Sequence, residues 1–151
     1  MPAPPNGTLL VLTPLSGFAA LQLTPYSARG LTQTLELISS GSELRRDVNG
    51  NLQSLVDTRF RKYRTSISCT DGEQPCLDDA WIGMICDVSC ALELNYVTGA
   101  TPARPAVPGS VRTQGTVTYY RPLLTCMVTN IRNSFAEYPA DNSWTIDLEE
   151  I

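Results

Sequence analysis

Five cysteines, two pairs of adjacent carboxylates and one basic run are the side chains of this sequence best able to do chemistry. The cysteines are Cys69, Cys76, Cys86, Cys90 and Cys126. A zinc site needs closely spaced pairs, and neither Cys69-x6-Cys76 nor Cys86-x3-Cys90 has the interval. Cys86 and Cys90 read as parts of one strand, where ~3.3 Å per residue sets their Cα atoms roughly 13 Å apart, beyond disulfide reach. Five is odd, so at least one thiol stays free or pairs with another chain. Two readings stay open: buried apolar thiols on strands, or a disulfide whose best candidate is Cys76, in a loop. Neighbours in a strand face opposite sides, so Asp78-Asp79 and Glu149-Glu150 make no two-carboxylate site and read as solvated charges. Asp71-x-Glu73 with Asp78 and Asp79 could gather a hard cation, but lacks the spacing of a calcium loop. No metal and no cofactor is expected.

Histidine is absent. That excludes Ser-His-Asp and Cys-His catalysis, histidine metal cages and histidine pH switches. No phosphate-cradling glycine loop, nucleophile elbow or zinc-protease helix is present either. The chain is therefore not expected to be an enzyme.

The distribution of charge is more informative than its total of −4. Residues 44–64 carry six bases (Arg45, Arg46, Arg59, Arg61, Lys62, Arg64) against Asp47 and Asp57, a net +4. Residues 71–93 carry six acids and residues 133–151 five, with no base in either. Ten of the eleven bases are arginine, the cation that grips carboxylates bidentately. For Arg59, Arg61, Lys62 and Arg64 three readings compete: ion pairs within an exposed strand face, contact with an acidic patch on another subunit, or nucleic-acid contact helped by Phe60 and Tyr63. The acidic total argues against nucleic acid. The four are candidate subunit-interface residues, and opposite charges on separate segments suit head-to-tail assembly.

Strands must carry these groups. At 151 residues, 42% of them hydrophobic and 17% charged, the chain fits one domain over residues 1–151 with a real core. Residues 8–13 and 31–39 read as strands, and Asn49-Gly50 predicts a two-residue type I′ hairpin between residues 43–48 and 51–56. Residues 60–69 put Tyr63, Thr65, Ile67 and Cys69 on one face. From Ile82 to Leu94 apolar residues alternate almost without fault, which predicts the central core strand. Residues 111–120 and 123–131 predict two more, and Trp144, Ile146 and Leu148 alternate in a last one. Residues 1–7 form a tail. Residues 98–110, with Pro102, Pro105 and Pro108, form a long loop or arm. Eight or nine strands predict an all-β fold: an antiparallel β-sandwich or small barrel with extended Pro-rich loops. The apolar run after Leu9 is broken by Pro14 and Gly17, so neither a secretory leader nor a membrane span is expected. Asn6-Gly7-Thr8 is a sequon without that context.

Several segments resemble small virion proteins of tailed bacteriophages. They are Tyr26-Ser-Ala-Arg-Gly-Leu-Thr-Gln-Thr-Leu-Glu36, Leu44-Arg-Arg-Asp-Val-Asn-Gly50, Phe60-Arg-Lys-Tyr-Arg-Thr-Ser-Ile-Ser-Cys-Thr70, Leu77-Asp-Asp-Ala-Trp-Ile-Gly83 and Trp144-Thr-Ile-Asp-Leu-Glu-Glu-Ile151. The resemblance implies a β-rich structural subunit of the particle, in tail or baseplate rather than shell, made in the host cytoplasm. It implies homo-oligomerisation and contact with other virion structural proteins. It carries over no catalytic residue. A capsid cement protein and a carbohydrate- or receptor-binding β-sandwich are the alternatives. The last would use clustered aromatics, for which Trp81, Trp144 and Tyr119-Tyr120 are candidates.

Overall fold

A computed structural model describes residues 9–15, 31–38, 44–70, 75–138 and 141–151. The expected tail at residues 1–7, the sequon, Asp71 and Glu73 lie outside them. The strands are β1 (Val11–Pro14), β2 (Thr32–Leu37), β3 (Leu44–Arg46), β4 (Leu52–Ser54), β5 (Tyr63–Cys69), β6 (Ile85–Ser89), β7 (Leu94–Val97), β8 (Arg112–Gln114), β9 (Val117–Tyr120), β10 (Leu123–Ala136) and β11 (Asp141–Glu150), with a 3-10 turn at Thr58–Phe60. Six form one sheet in the order β1-β6-β10-β11-β5-β2; β7-β9-β8 form a second, and β3-β4 a separate hairpin. Every pairing is antiparallel. The fold is all-β, as the alternation requires, and compatible with a sandwich. The main sheet is open, ending at β1 and β2, so the barrel alternative does not form.

Alternation builds the core. Leu12, Cys86, Val88, Leu124, Cys126, Val128, Trp144, Ile146, Leu148, Ile67 and Cys69 lie on one face of the main sheet and are fully buried. Leu10, Met84 and Cys90 from flanking segments complete the cluster, with Leu77 and Leu92 packed against it. Thr65, in the same row, is buried yet satisfied: its Oγ1 donates to the Thr34 carbonyl (2.9 Å) and accepts from Gln33 Nε2 (3.1 Å). Gln33 Oε1 in turn accepts from the Ala91 amide (2.8 Å). The polar residue in the apolar row of β2 thus ties that edge strand to the segment after β6.

The opposite face is polar. Register sets Arg64 directly between Glu36 and Glu149, and the three form a cross-strand ion-pair ladder at 3.5 and 2.6 Å. Between Val128 and Asn130 the β10–β11 register slips by one residue. This bulge reverses the parity of β10, so the inward row continues from Val128 to Ile131.

Four expectations need correction. The strand expected over 82–94 is only Ile85–Ser89 and lies second from an edge; the centre belongs to β10 and β11, the two longest strands. Residues 111–120 are a hairpin, not one strand, because Gly115 takes a φ of 63° and opens a two-residue turn between Gln114 and Val117. The hairpin at Asn49-Gly50 forms, but with a three-residue loop. The Asp47 and Asn51 backbones close it, Gly50 N donates to Asp47 O, and Gly50 has a φ of 82°. The Asp47 carboxylate decides this, accepting from both the Asn49 and Asn51 amides at 2.9 Å. Those bonds, the Asn51 amide first, hold its pKa below the ordinary value. Finally, eleven strands occupy the described residues rather than eight or nine.

All five cysteines are free thiols. Cys69, Cys86, Cys90 and Cys126 are buried, with Cys86 and Cys126 opposite each other across β6 and β10; Cys76 alone is exposed. Burial pushes Cys86 and Cys90 up to about 11, and Cys126 to about 12. A thiol-specific chromophore should therefore label Cys76 at once and the other four only on unfolding. Because native pKa values exceed the unfolded one, the unfolded chain loses these protons first as pH rises. Stability is expected to be full below about pH 9 and to fall between pH 9 and 12, which urea titrations at stepped pH would measure.

Candidate functional site

The connection from β2 to β5, residues 38–62, carries five of the six bases of the basic run and several exposed apolar side chains. It leaves and re-enters the sheet together, the Ile38 amide donating to the Lys62 carbonyl (2.9 Å). Within it, every residue of β3 and β4 is exposed, and among the described residues the hairpin packs against no other strand. Leu44, Val48, Leu52 and Leu55 are all exposed. A lone two-stranded hairpin is marginal in water and gains stability by packing on something.

The hairpin leads into the turn at Thr58–Phe60. Asp57 caps it, accepting from the Arg59 amide (2.9 Å) and gripping the Arg59 guanidinium at 2.6 and 2.9 Å. The Arg59 contact holds the Asp57 carboxyl below its ordinary pKa. The basic residues are thus divided among different structures. Arg59 and Arg64 are paired within the chain, and Lys62 Nζ donates to the Ile151 carbonyl (2.8 Å). Arg61 makes no side-chain hydrogen bond or ion pair among the described residues. The Arg59 side chain is 87% exposed and that of Arg64 45%, and exposed pairs of this kind contribute little to stability. They are weak enough to exchange for a partner's carboxylates.

Two depressions flank this segment. One, of about 230 Å³, is mostly apolar, formed by Leu37, Ile38, Val56 and Phe60 with Asp57, Thr58 and Arg61 at its wall. The other, of about 270 Å³, is lined by Arg61, Tyr63, Tyr96, Thr101, Ala103 and Tyr120. Beside it Arg104 bonds both Glu150 carboxylate oxygens (2.6 and 2.9 Å), donates to the Arg61 carbonyl (2.6 Å) and lies 5.3 Å over the Tyr63 ring. The side chains of Arg104 and Glu150 are only 16% and 9% exposed. Glu150 also accepts from the Tyr63 amide (3.0 Å). The Pro-rich segment 98–110 is therefore a tethered loop rather than a free arm. Pro105 and Arg121 carbonyls accept from the Leu123 and Val107 amides at 2.8 Å, and Val107 is buried.

The other end of the long β10–β11 hairpin is acidic and aromatic. Glu137, Tyr138 and Asp141 are exposed there, with Phe135 beside them on β10. Asp78, Trp81 and Ile82 are exposed on the 75–83 turn, whose Gly83 amide donates to the Val128 carbonyl and whose Cys76 and Asp78 share a depression with Asn133. Nine steps of β11 separate Asp141 from Glu150, roughly 30 Å at ~3.3 Å per residue. The basic hairpin and the acidic tip thus sit at opposite ends of the sheet.

Sequence reasoning correctly separated Glu149 from Glu150 onto opposite faces, but Glu150 is a buried ion partner, not a solvated charge. It missed Arg104 and the three-tyrosine pocket, whose members come from segments far apart in the chain. Trp144 is core, Tyr119 lies under Arg112 (4.3 Å), and Tyr120 is buried, so the aromatics singled out in sequence do not cluster. Among the described residues no group of three Cys, Asp or Glu is placed to hold a metal. No family model, curated protein or solved structure matches the chain.

Proposed function

We propose that the chain is a non-enzymatic structural subunit of a tailed-phage particle, in the tail or baseplate, whose copies join head to tail. The basic β3–β4 hairpin and its apolar groove meet the acidic, aromatic end of the next copy. The observation that carries this reading is the hairpin, which exposes every residue of both its strands. Its +4 segment and the Asp78, Asp79, Glu137 and Asp141 end are complementary. Different patches meeting in this way generate rings when the rotation closes, a geometry that suits a tail or baseplate. The segments resembling virion proteins supply the particle.

Replacing residues 45–53 by a short Gly-Ser linker tests the assembly. Sedimentation of the full chain should show oligomers that the linker variant lacks, while its circular dichroism and unfolding midpoint stay within the range of a surface change. An oligomer that survives the replacement overturns the reading. Mass spectrometry of purified particles should find the chain at the copy number of a tail ring, and its absence would remove the particle.

A further inference from the structure

We propose that the tyrosine-lined pocket beside Arg104 is a binding site for an anionic sugar ring, a pyranose carrying a carboxylate. This inference goes beyond the assembly role and does not depend on it. The pocket is about 270 Å³, just under the ~300 Å³ where sites for drug-sized ligands begin, so its ligand is small. Three of its walls are tyrosines. Tyr96 and Tyr120 meet edge-on, ring centres 5.6 Å apart, and Tyr63 is fixed by its backbone N–H, which donates to the Glu150 carboxylate, and by the Arg104 guanidinium over its ring. Aromatic walls with hydroxyl tips suit a ring that is apolar on its faces and polar on its rim.

Charge selects among such rings. Arg104, beside the pocket, is already neutralised by Glu150 through two short bonds. Arg61 lines the same pocket, and its guanidinium is engaged by no acid among the described residues. It is the one lining residue that can take a carboxylate bidentately. Its backbone is held in place, because its carbonyl accepts from Arg104. Sequence could not show this, since Arg61, Tyr96 and Tyr120 are brought together only by the β2–β5 connection and the β7–β9 pairing.

Glucuronic acid and glucose are the probes, titrated into the full chain with backbone amide shifts as the readout. Glucuronic acid should move residues 61–63, 94–96 and 101–103 and saturate on the order of 1 mM, a range normal for one sugar ring. Glucose should move the same residues at least tenfold more weakly. Arg61→Gln, at an exposed position, should erase that preference while leaving the glucose shifts unchanged. Shifts scattered over the surface, equal response to acetate and glucuronic acid, or an Arg61→Gln chain that still prefers the acid would each overturn the proposal.

Discussion

Replacing Glu150 by alanine is expected to cost about 1–3 kcal/mol, because it leaves the largely covered Arg104 guanidinium without its carboxylate. The pair differs from the exposed ones in burial. The side chains of Arg104 and Glu150 are 16% and 9% exposed, whereas Arg59, Arg64 and Arg112 lie over half or nearly half in water. Three structures meet at it: the loop 98–110, the end of β11 and the start of β5, through the bonds to Glu150, the Arg61 carbonyl and the Tyr63 amide. Arg104→Ala should cost a similar amount. Arg104→Lys should not restore the loss, since one ammonium cannot span two carboxylate oxygens and a carbonyl. Apolar replacement of both partners should recover much of it, as removal of one charge, not the lack of a pair, is what costs. Urea midpoints at constant slope measure each case. Losses below ~1 kcal/mol would reduce the pair to a surface contact. Proteolysis within 98–110 should quicken in both single variants, since Arg104 is one of the loop's anchors.

How legible the sequence was depended on whether information was local. Trp144, Ile146 and Leu148 alternate without interruption and form the last strand as expected, though it lies at the sheet's centre. Tyr63, Thr65, Ile67 and Cys69 do likewise. Where a pattern is symmetric about a turn, it misled. Val111 to Tyr120 reads as one strand because Gly115 gives no side-chain signal, and only its positive φ breaks the run. The 82–94 alternation was too long: Ile82 is 65% exposed, and the strand ends once Cys90 donates to the Pro122 carbonyl. The bulge between Val128 and Asn130 has no residue signature at all. Long-range chemistry was the least legible. Nothing local to Arg104 announces a partner 46 residues away, and a pocket of Arg61, Tyr63, Tyr96 and Tyr120 exists only after the sheets form. The basic run was visible, but its division among a cap, a carbonyl contact, a cross-strand ladder and a pocket-lining arginine required the register of β5 between β2 and β11.

Reversing charge at either end of the molecule should have the second large effect. Arg45→Glu/Arg46→Glu takes the basic segment 44–64 from +4 to neutral, which removes its attraction for the acidic end of the next copy. Asp78→Lys/Asp79→Lys neutralises the Asp78, Asp79, Glu137 and Asp141 end with the same consequence. Each double reversal should weaken association at least tenfold at low salt, and less at high salt, where exposed charges are screened. Neither should alter the unfolding midpoint much, because all four side chains lie on exposed positions. Loss of fold in either would place these charges in the domain's own stability instead.

Sedimentation of the two reversed chains, apart and then mixed, bears most directly on whether unlike ends of the molecule grip each other. Each alone should associate at least tenfold more weakly than the unaltered chain, and the equimolar mixture should form a dimer through the one contact left between unaltered ends, the acidic tip of one chain and the basic hairpin of the other. If the Asp78→Lys/Asp79→Lys chain assembles by itself as before, or the mixture stays monomeric, the head-to-tail contact between basic hairpin and acidic tip does not exist.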